Sequence, residues 1–469
     1  MKIFRTLLLP FCLLTLLLNG CQTDDSLHVP SDLRINDFVW KGMNLYYLWQ
    51  ENVTDLDDDR FADQGELNEY LESYDQPATL FQQLRVDPSI DRFSVIYSDY
   101  RILEGILSGT TKNNGVDYGL NFVPGSATEI FGWVRYILPN SDASTKDIQR
   151  GDIFYAVNGT PLTVNNYQSL LSAESYTLNL ADYDNGAITP NGQSVSLTKW
   201  VYSENPIYKT EVIAIGSHKI GYLMYNGFYP QYENQLNQAF GQLKSQDITH
   251  LVLDLRYNSG GSIATATKLA SLITGQFTGQ LFAKEQWNNK MQPHFESNIV
   301  NKFTSTINNS PINDLQLSTV YVLTSKSTAS ASELVINGLE PYINVVQIGD
   351  NTTGKNVGSV TLYDSPAFGK RDRNPNHYYA MQPIVLKVVN KNGYGDYQQN
   401  GLPADYLLLE DLSNLGTLGT MSDPLLSTAV GQITANGRLI KVNKSATKML
   451  TDSKSADNLR NQMYSQMQP

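Results

Sequence analysis

Apolar positions along this chain change period twice. Over residues 31–102 they recur at helical spacing. Asp37-Phe38-Val39-Trp40 leads into Met43, Leu45, Tyr46, Tyr47, Leu48 and Trp49, an aromatic-rich stripe expected to pack as core, and residues 79–84 repeat the pattern on a smaller scale. From 103 to 200 the pattern becomes that of strands punctuated by glycine: residues 118–123, 132–138, 150–153 and 156–162. Asn158-Gly159 reads as a hairpin turn between two of them, and residues 165–174 read as a short helix. From 201 to 437 strand and helix alternate. Residues 219–223 and 250–256 are predicted strands, the second a nearly continuous apolar run of the kind buried on both faces. Gly260-Gly261 breaks that run and a helix follows over 264–273; the strand over 320–324 is followed by a helix through Leu334, Val335, Ile336 and Leu339, and a strand returns over 343–349. Such alternation predicts an α/β layer with a largely parallel sheet. Pro424, after Ser422-Asp423, opens a last amphipathic helix through Leu425, Leu426, Ala429, Val430 and Ile433. Residues 438–469 carry six Lys or Arg, two Asp and few large apolar side chains, which predicts a mobile tail. The chain is thus expected to be a multidomain α+β protein: a helical N-terminal domain, a β domain and an α/β domain.

Composition narrows the function classes. Of 469 residues 41% are hydrophobic, enough to build real cores and to exclude wholesale disorder. Asp and Glu number 46 against 34 Lys and Arg, a net charge of −12 that argues against a nucleic-acid partner. Two Cys exclude a disulfide scaffold and a cysteine-rich zinc site, and none of the five His falls in an HExxH spacing, so no metal or cofactor is expected. Acidic residues between 55 and 66 fit positions 1, 3, 5, 9 and 12 of a calcium loop, but Arg60 stands where the turn needs glycine, so the segment is read as a solvated acidic loop.

The first twenty residues are not part of the fold. Lys2 and Arg5 precede an apolar stretch over 7–18, the layout of a secretion signal. The sequence Leu18-Asn19-Gly20-Cys21 resembles a bacterial lipoprotein signal. That implies removal of 1–20, acyl chains on Cys21 as a membrane anchor, a polar tether over 21–30, and a cell-envelope location, at the outer membrane with the face left open. An ordinary signal peptide with an incidental Cys is the alternative.

The strand series over 103–200 resembles a PDZ domain, with Gly119-Leu120-Asn121-Phe122 at its carboxylate-binding loop. The resemblance implies that backbone N–H groups there hold a peptide carboxyl terminus while the peptide adds as a strand.

Candidate chemistry sits further on. Ser327-Thr328-Ala329-Ser330-Ala331-Ser332-Glu333 follows a buried strand and opens a helix. A hydroxyl at that turn projects from the carboxyl edge of the sheet, and the helix N-terminus offers N–H groups to a developing oxyanion. A serine-rich stretch before a helix is also an ordinary N-cap. Lys355 shifts the balance. It lies 25 residues on, in Thr352-Thr353-Gly354-Lys355, just past the next strand, so neighbouring strand ends bring it to Ser330. A buried lysine loses its proton readily and can then take one from serine, which makes a Ser–Lys pair that needs no His or Asp.

With these motifs in order, the chain over 31–437 resembles the carboxy-terminal processing (tail-specific) peptidase family, serine peptidases that join a PDZ domain to an α/β catalytic domain. The resemblance implies Ser330 as nucleophile, Lys355 as base, and the N–H groups of Gly260 and Ala331 as oxyanion hole. The segment 253–261 matches the family's double-glycine strand motif and Gly401-Leu402-Pro403-Ala404-Asp405 its late turn. Where many members carry Gln four residues after the lysine, this chain has Ser359. Glu333 is expected to support the site without transferring a proton. The expected function is a serine endopeptidase cleaving carboxyl-terminal regions of envelope proteins, with protein or peptide substrates as partners. The alternatives are a non-catalytic peptide- or apolar-ligand-binding protein on the same scaffold, or an esterase or amidase.

Overall fold

The computed structural model describes residues 28–295, 299–434, 447–455 and 463–465. The expected signal over 1–20 and the expected lipidation at Cys21 lie outside them.

Helix Arg34–Tyr46 buries Phe38, Val39, Met43 and Tyr46, the i, i+4 stripe read from the sequence. Helix Gln64–Glu72 starts where the Asp63 carboxylate accepts the N–H groups of Gly65 and Glu66. Other acids of the calcium-like stretch are engaged as well: Asp55 pairs with Arg60 and Asp58 with Lys290. The helical segment is not a separate core. Phe38, Met43 and Leu80 belong to one buried cluster with Leu253, Leu334 and Leu386 of the α/β part. The segment also ends in a strand, Val95–Tyr97, antiparallel to Ala380–Gln382.

Next comes a sheet with Val116–Phe122, Ile130–Ile137, Ile153–Val157, Ser175–Asp184 and Ala187–Thr198 in that order, around Leu120, Val134, Phe154 and Leu178. Asn158-Gly159 makes the predicted tight turn: both residues take positive φ, 50° and 77°, as a two-residue hairpin demands. The short helix expected near 165–174 spans Tyr167–Ser172.

The central α/β sheet has six strands, Ile207–Ile215, His218–Tyr225, His250–Asp254, Thr319–Thr324, Asn344–Gly349 and Tyr406–Leu407, in chain order. The first pair is antiparallel and every later pair parallel. Helices Glu233–Ser245, Ile263–Thr274 and Ala331–Leu339 connect the parallel strands. The middle of strand His250–Asp254 is apolar because it is covered twice: Leu251 and Leu253 face the core shared with the N-terminal helices, Val252 the core under helix Pro424–Ile433.

A second six-stranded sheet, not expected from the sequence, runs Gly261–Ser262, Met463–Tyr464, Val357–Ser359, Ile384–Asn390, Leu281–Trp287 and Val300–Lys302. It corrects the mobile tail expected over 438–469, as far as residues 447–455 and 463–465 are concerned. Met449–Asp452 adds antiparallel to Val116–Phe122, and Met463–Tyr464 lies between Gly261–Ser262 and Val357–Ser359. The polar composition misled because its charges are matched inside: Asp452 pairs with the buried Arg135, and Lys454 Nζ donates to the carbonyls of Asn226 and Tyr257.

Candidate active site

Three adjacent parallel strands deliver the candidate residues. Asp254 pairs with Leu323 and Thr324 with Gly349, so the loops leaving their carboxyl ends start side by side. The loops are then tied together. Thr328 Oγ1 donates to Leu255 O at 2.9 Å, Ala329 N and Ser332 Oγ donate to Asn258 O at 3.2 and 3.0 Å, and Thr353 N donates to Thr328 O at 2.9 Å. The double-glycine strand is anchored below by Arg256, fully buried against Asp254 and Asp423.

Ser330 caps helix Ala331–Leu339 with φ 64° and ψ −118°, a strained conformation for a residue with a Cβ and one that persists only where the surroundings enforce it. The residue is buried, and its Oγ has no hydrogen-bond partner among the described residues. Gly260, at φ 113°, lies directly against it. A Cβ at 260 would stand 2.7 Å from Ser330 Oγ and 3.1 Å from Ala331 N, so glycine keeps open the space above the hydroxyl. The structure thus brings Gly260, Ser330 and Ala331 together. The oxyanion pair implied by the family resemblance is only partly in place, however, because the Gly260 N–H donates to Asn258 Oδ1 at 2.9 Å.

Glu333 organises the rest. Its Oε2 accepts the N–H of Ser330 at 2.7 Å and of Lys355 at 2.8 Å; its Oε1 accepts the N–H of Gly354 at 2.6 Å and the Thr352 hydroxyl at 2.5 Å. Burial pushes this carboxyl above its ordinary range while the four donors pull it back. With both oxygens doubly used, it has a holding role and no free position for a proton.

Lys355 is fully buried, and its Nζ lies 4.2 Å from the centre of the Phe93 ring. Burial lowers its pKa to about 7, helped by Arg92 and opposed by Asp91 and Glu333. Ser330 and Lys355 are linked at the backbone through one shared carboxylate oxygen, while the Ser330 hydroxyl makes no hydrogen bond to the amine. Ser359 is buried with its Oγ 3.2 Å from Met463 O and 3.4 Å from Gln382 Oε1.

Sequence reasoning missed the wall over the lysine. Asp91, Arg92 and Phe93 come from the end of the helical segment, where Arg92 donates to Gly354 O at 3.0 Å and Asp91 is held by Tyr47 and Arg85. No local pattern flags them, because only the shared core and the Val95–Tyr97 pairing bring them here. Asn258, inside the segment 253–261, carries no local signal that it would accept the Gly260 N–H. The proposed peptide-binding residues Gly119, Leu120, Asn121 and Phe122 lie on a strand that Ile130–Ile137 flanks on one side and the chain's own Met449–Asp452 on the other. Among the described residues no group of three or more His, Cys, Asp or Glu is placed to hold a metal ion, and no helix is long and apolar enough to cross a membrane.

Residues 219–367 match Peptidase family S41, and residues 34–95 match the Peptidase S41 N-terminal domain. The chain is similar to carboxyl-terminal-processing peptidase 1, chloroplastic, of Arabidopsis thaliana, 24% identical over 222 residues that cover 46% of this chain and 42% of that one. It spans about half or less of the length of the curated relatives it matches. Among solved structures it is similar to a putative S41 protease from Bacteroides fragilis, with a TM-score of 0.66 and 27% identity over 86% of this chain and 98% of that one. A photosystem II D1 C-terminal processing protease shares the fold, with a TM-score of 0.50 and 19% identity over 85% of this chain and all of that one.

Proposed function

From the match of residues 219–367 to Peptidase family S41 and of residues 34–95 to its N-terminal domain, we propose that the chain is a serine endopeptidase whose working pair is Ser330 and Lys355. The observation that carries this is the Glu333 oxygen that holds the Ser330 and Lys355 backbones together, beside an amine whose pKa burial lowers to about 7. In the reaction, Ser330 Oγ attacks the scissile carbonyl and gives its proton to Lys355 Nζ. Negative charge on the carbonyl oxygen is met by the N–H groups of Ala331 and Gly260. The amine product leaves with the proton from Lys355, and water, deprotonated by the same amine, releases the acyl group from Ser330. Two adjustments precede the first step: the hydroxyl turns to the amine, and Gly260 N–H exchanges Asn258 Oδ1 for the substrate oxygen.

The sheet over 103–200 serves as a PDZ-like unit that takes a partner's carboxyl-terminal tail along Val116–Phe122, and the substrates are carboxyl-terminal regions of envelope proteins reached from a lipid anchor on Cys21. The second reading, a binding protein that cleaves nothing, is favoured by the unbonded Ser330 hydroxyl and the committed Gly260 N–H. A fluorophosphonate probe together with hydrolysis of an unfolded protein separates the two. Labelling and cleavage by the parent, both lost in Ser330→Ala, support the peptidase; neither in the parent overturns it.

A further inference from the structure

The proposed function needs a substrate in two places, along Val116–Phe122 and beside Ser330. The chain's own carboxyl-terminal segment occupies the first and, near the second, pairs with the residues that follow Gly260, the glycine lying against Ser330. In the first, Met449, Thr451 and Asp452 pair antiparallel with Asn121, Leu120 and Gly119; Phe122 N donates to Lys448 O at 2.8 Å and Ser453 N to Tyr118 O at 2.9 Å. These main-chain groups are the ones any added peptide strand would use. In the second, Met463 and Tyr464 pair in parallel with Gly261 and Ser262, the residues just after Gly260, and Ser465 N donates to Ser359 O at 3.0 Å.

We propose that the stretches 447–455 and 463–465 are a tethered competitor, substrate-like strands that must leave before a peptide enters. The proposal rests on the reading of those strands as the substrate path.

The side-chain anchors fit this role. Asp452 bonds Arg135 at 2.9 Å, and the same guanidinium donates to Ser327 Oγ in the loop leading to Ser330. Once the segment departs, Arg135 stays buried with Asp117 3.9 Å away, so the favoured displacing ligand is an extended peptide that brings its own carboxylate to Arg135. Tyr464 is buried with its hydroxyl on Leu107 O. The unbonded Ser330 hydroxyl and the Gly260 N–H turned to Asn258 describe a resting site, as expected when the segment is docked. The effect is multiplicative on KM. At a millimolar effective concentration, a segment of about 100 µM intrinsic affinity raises KM roughly ten-fold and leaves kcat unchanged.

The test uses the full chain carrying Ser453→Pro and Ser465→Pro, which deletes the main-chain bonds to Tyr118 O and Ser359 O without touching the catalytic groups. A fluorescent peptide of the 447–465 sequence should bind the variant at least ten-fold more tightly than the parent. KM for a peptide substrate should fall at least five-fold at constant kcat. Equal binding and equal KM in parent and variant, or a higher KM in the variant, would overturn the proposal. Where the variant does not fold, hydrogen exchange on the parent decides: a saturating substrate peptide should speed exchange at 449–455 and leave 250–254 unchanged, and no change at 449–455 overturns it. Peptide binding is scored separately from turnover. A chain that hydrolyses nothing but binds peptide as predicted loses the peptidase reading and keeps the competitor.

Discussion

The backbone N–H of Ser330 and that of Lys355, 25 residues apart in sequence, end on the same oxygen of Glu333 at 2.7 and 2.8 Å. The spacing of the proposed nucleophile and base is thereby set by main chain and one carboxylate rather than by a contact between their side chains. Glu333→Gln replaces one acceptor oxygen by a donor and strands the two buried donors that oxygen accepted, at about 1–3 kcal/mol each. We expect a lower melting temperature and a fall in kcat of roughly 10²-fold, the size of loss that follows displacement of catalytic groups by about an ångström. Steady-state kinetics with thermal melts measure both.

The pH profile should report Lys355. Cleavage needs the neutral amine, so kcat/KM should rise through about pH 7 and level off above it. The same group makes stability depend on pH. Its folded pKa lies below the unfolded value near 10.4, so between these limits the unfolded chain binds more protons, and this group's contribution to stability increases as pH rises from 7 to 10.4. A flat activity profile from pH 5.5 to 9 would remove Lys355 as base.

Phe93 keeps water from the amine. Phe93→Ala opens one side of the lysine, and the rising limb should move roughly 0.5–1 unit toward alkaline pH, because rehydration outweighs the lost ring–cation attraction. The measurement is kcat/KM against pH for variant and parent. A structural role alone would lower the plateau without moving the limb.

Gly260→Ala puts a methyl group 2.7 Å from Ser330 Oγ on a backbone at φ 113°. Turnover should fall at least 10²-fold, with a stability loss of about 1–3 kcal/mol. Chemical denaturation together with single-turnover cleavage checks the pair of effects.

Arg135→Leu leaves Asp452 and Asp117 buried without their cation and should cost about 3–5 kcal/mol. Denaturation of the single variant measures it, and Arg135→Leu combined with Asp452→Leu should recover part of the loss.

Much of this arrangement is written in local sequence. The apolar run at 251–253 signals a strand with two covered faces, and cores on both sides supply them. Asn158-Gly159 signals its turn because few residues tolerate positive φ twice in succession. The approach of Lys355 to Ser330 follows from adjacent parallel strands. What was not legible depends on distant partners. Strands of two or three residues, such as Gly261–Ser262, Val357–Ser359 and Met463–Tyr464, are too short to show a period. A basic, polar tail looks mobile until Arg135 and the carbonyls of Asn226 and Tyr257 are known to receive it.

The N-terminal helices share their interior with the central sheet, and this makes them inseparable from the chemistry. Cutting the chain after residue 95 would strip the underside of strands His250–Asp254 and Thr319–Thr324 and, in the same stroke, unroof Lys355 by removing Asp91, Arg92 and Phe93. The piece beginning at 96 would expose greasy surface and hold a hydrated, ordinary lysine. Grafts between relatives should therefore exchange both segments as one unit.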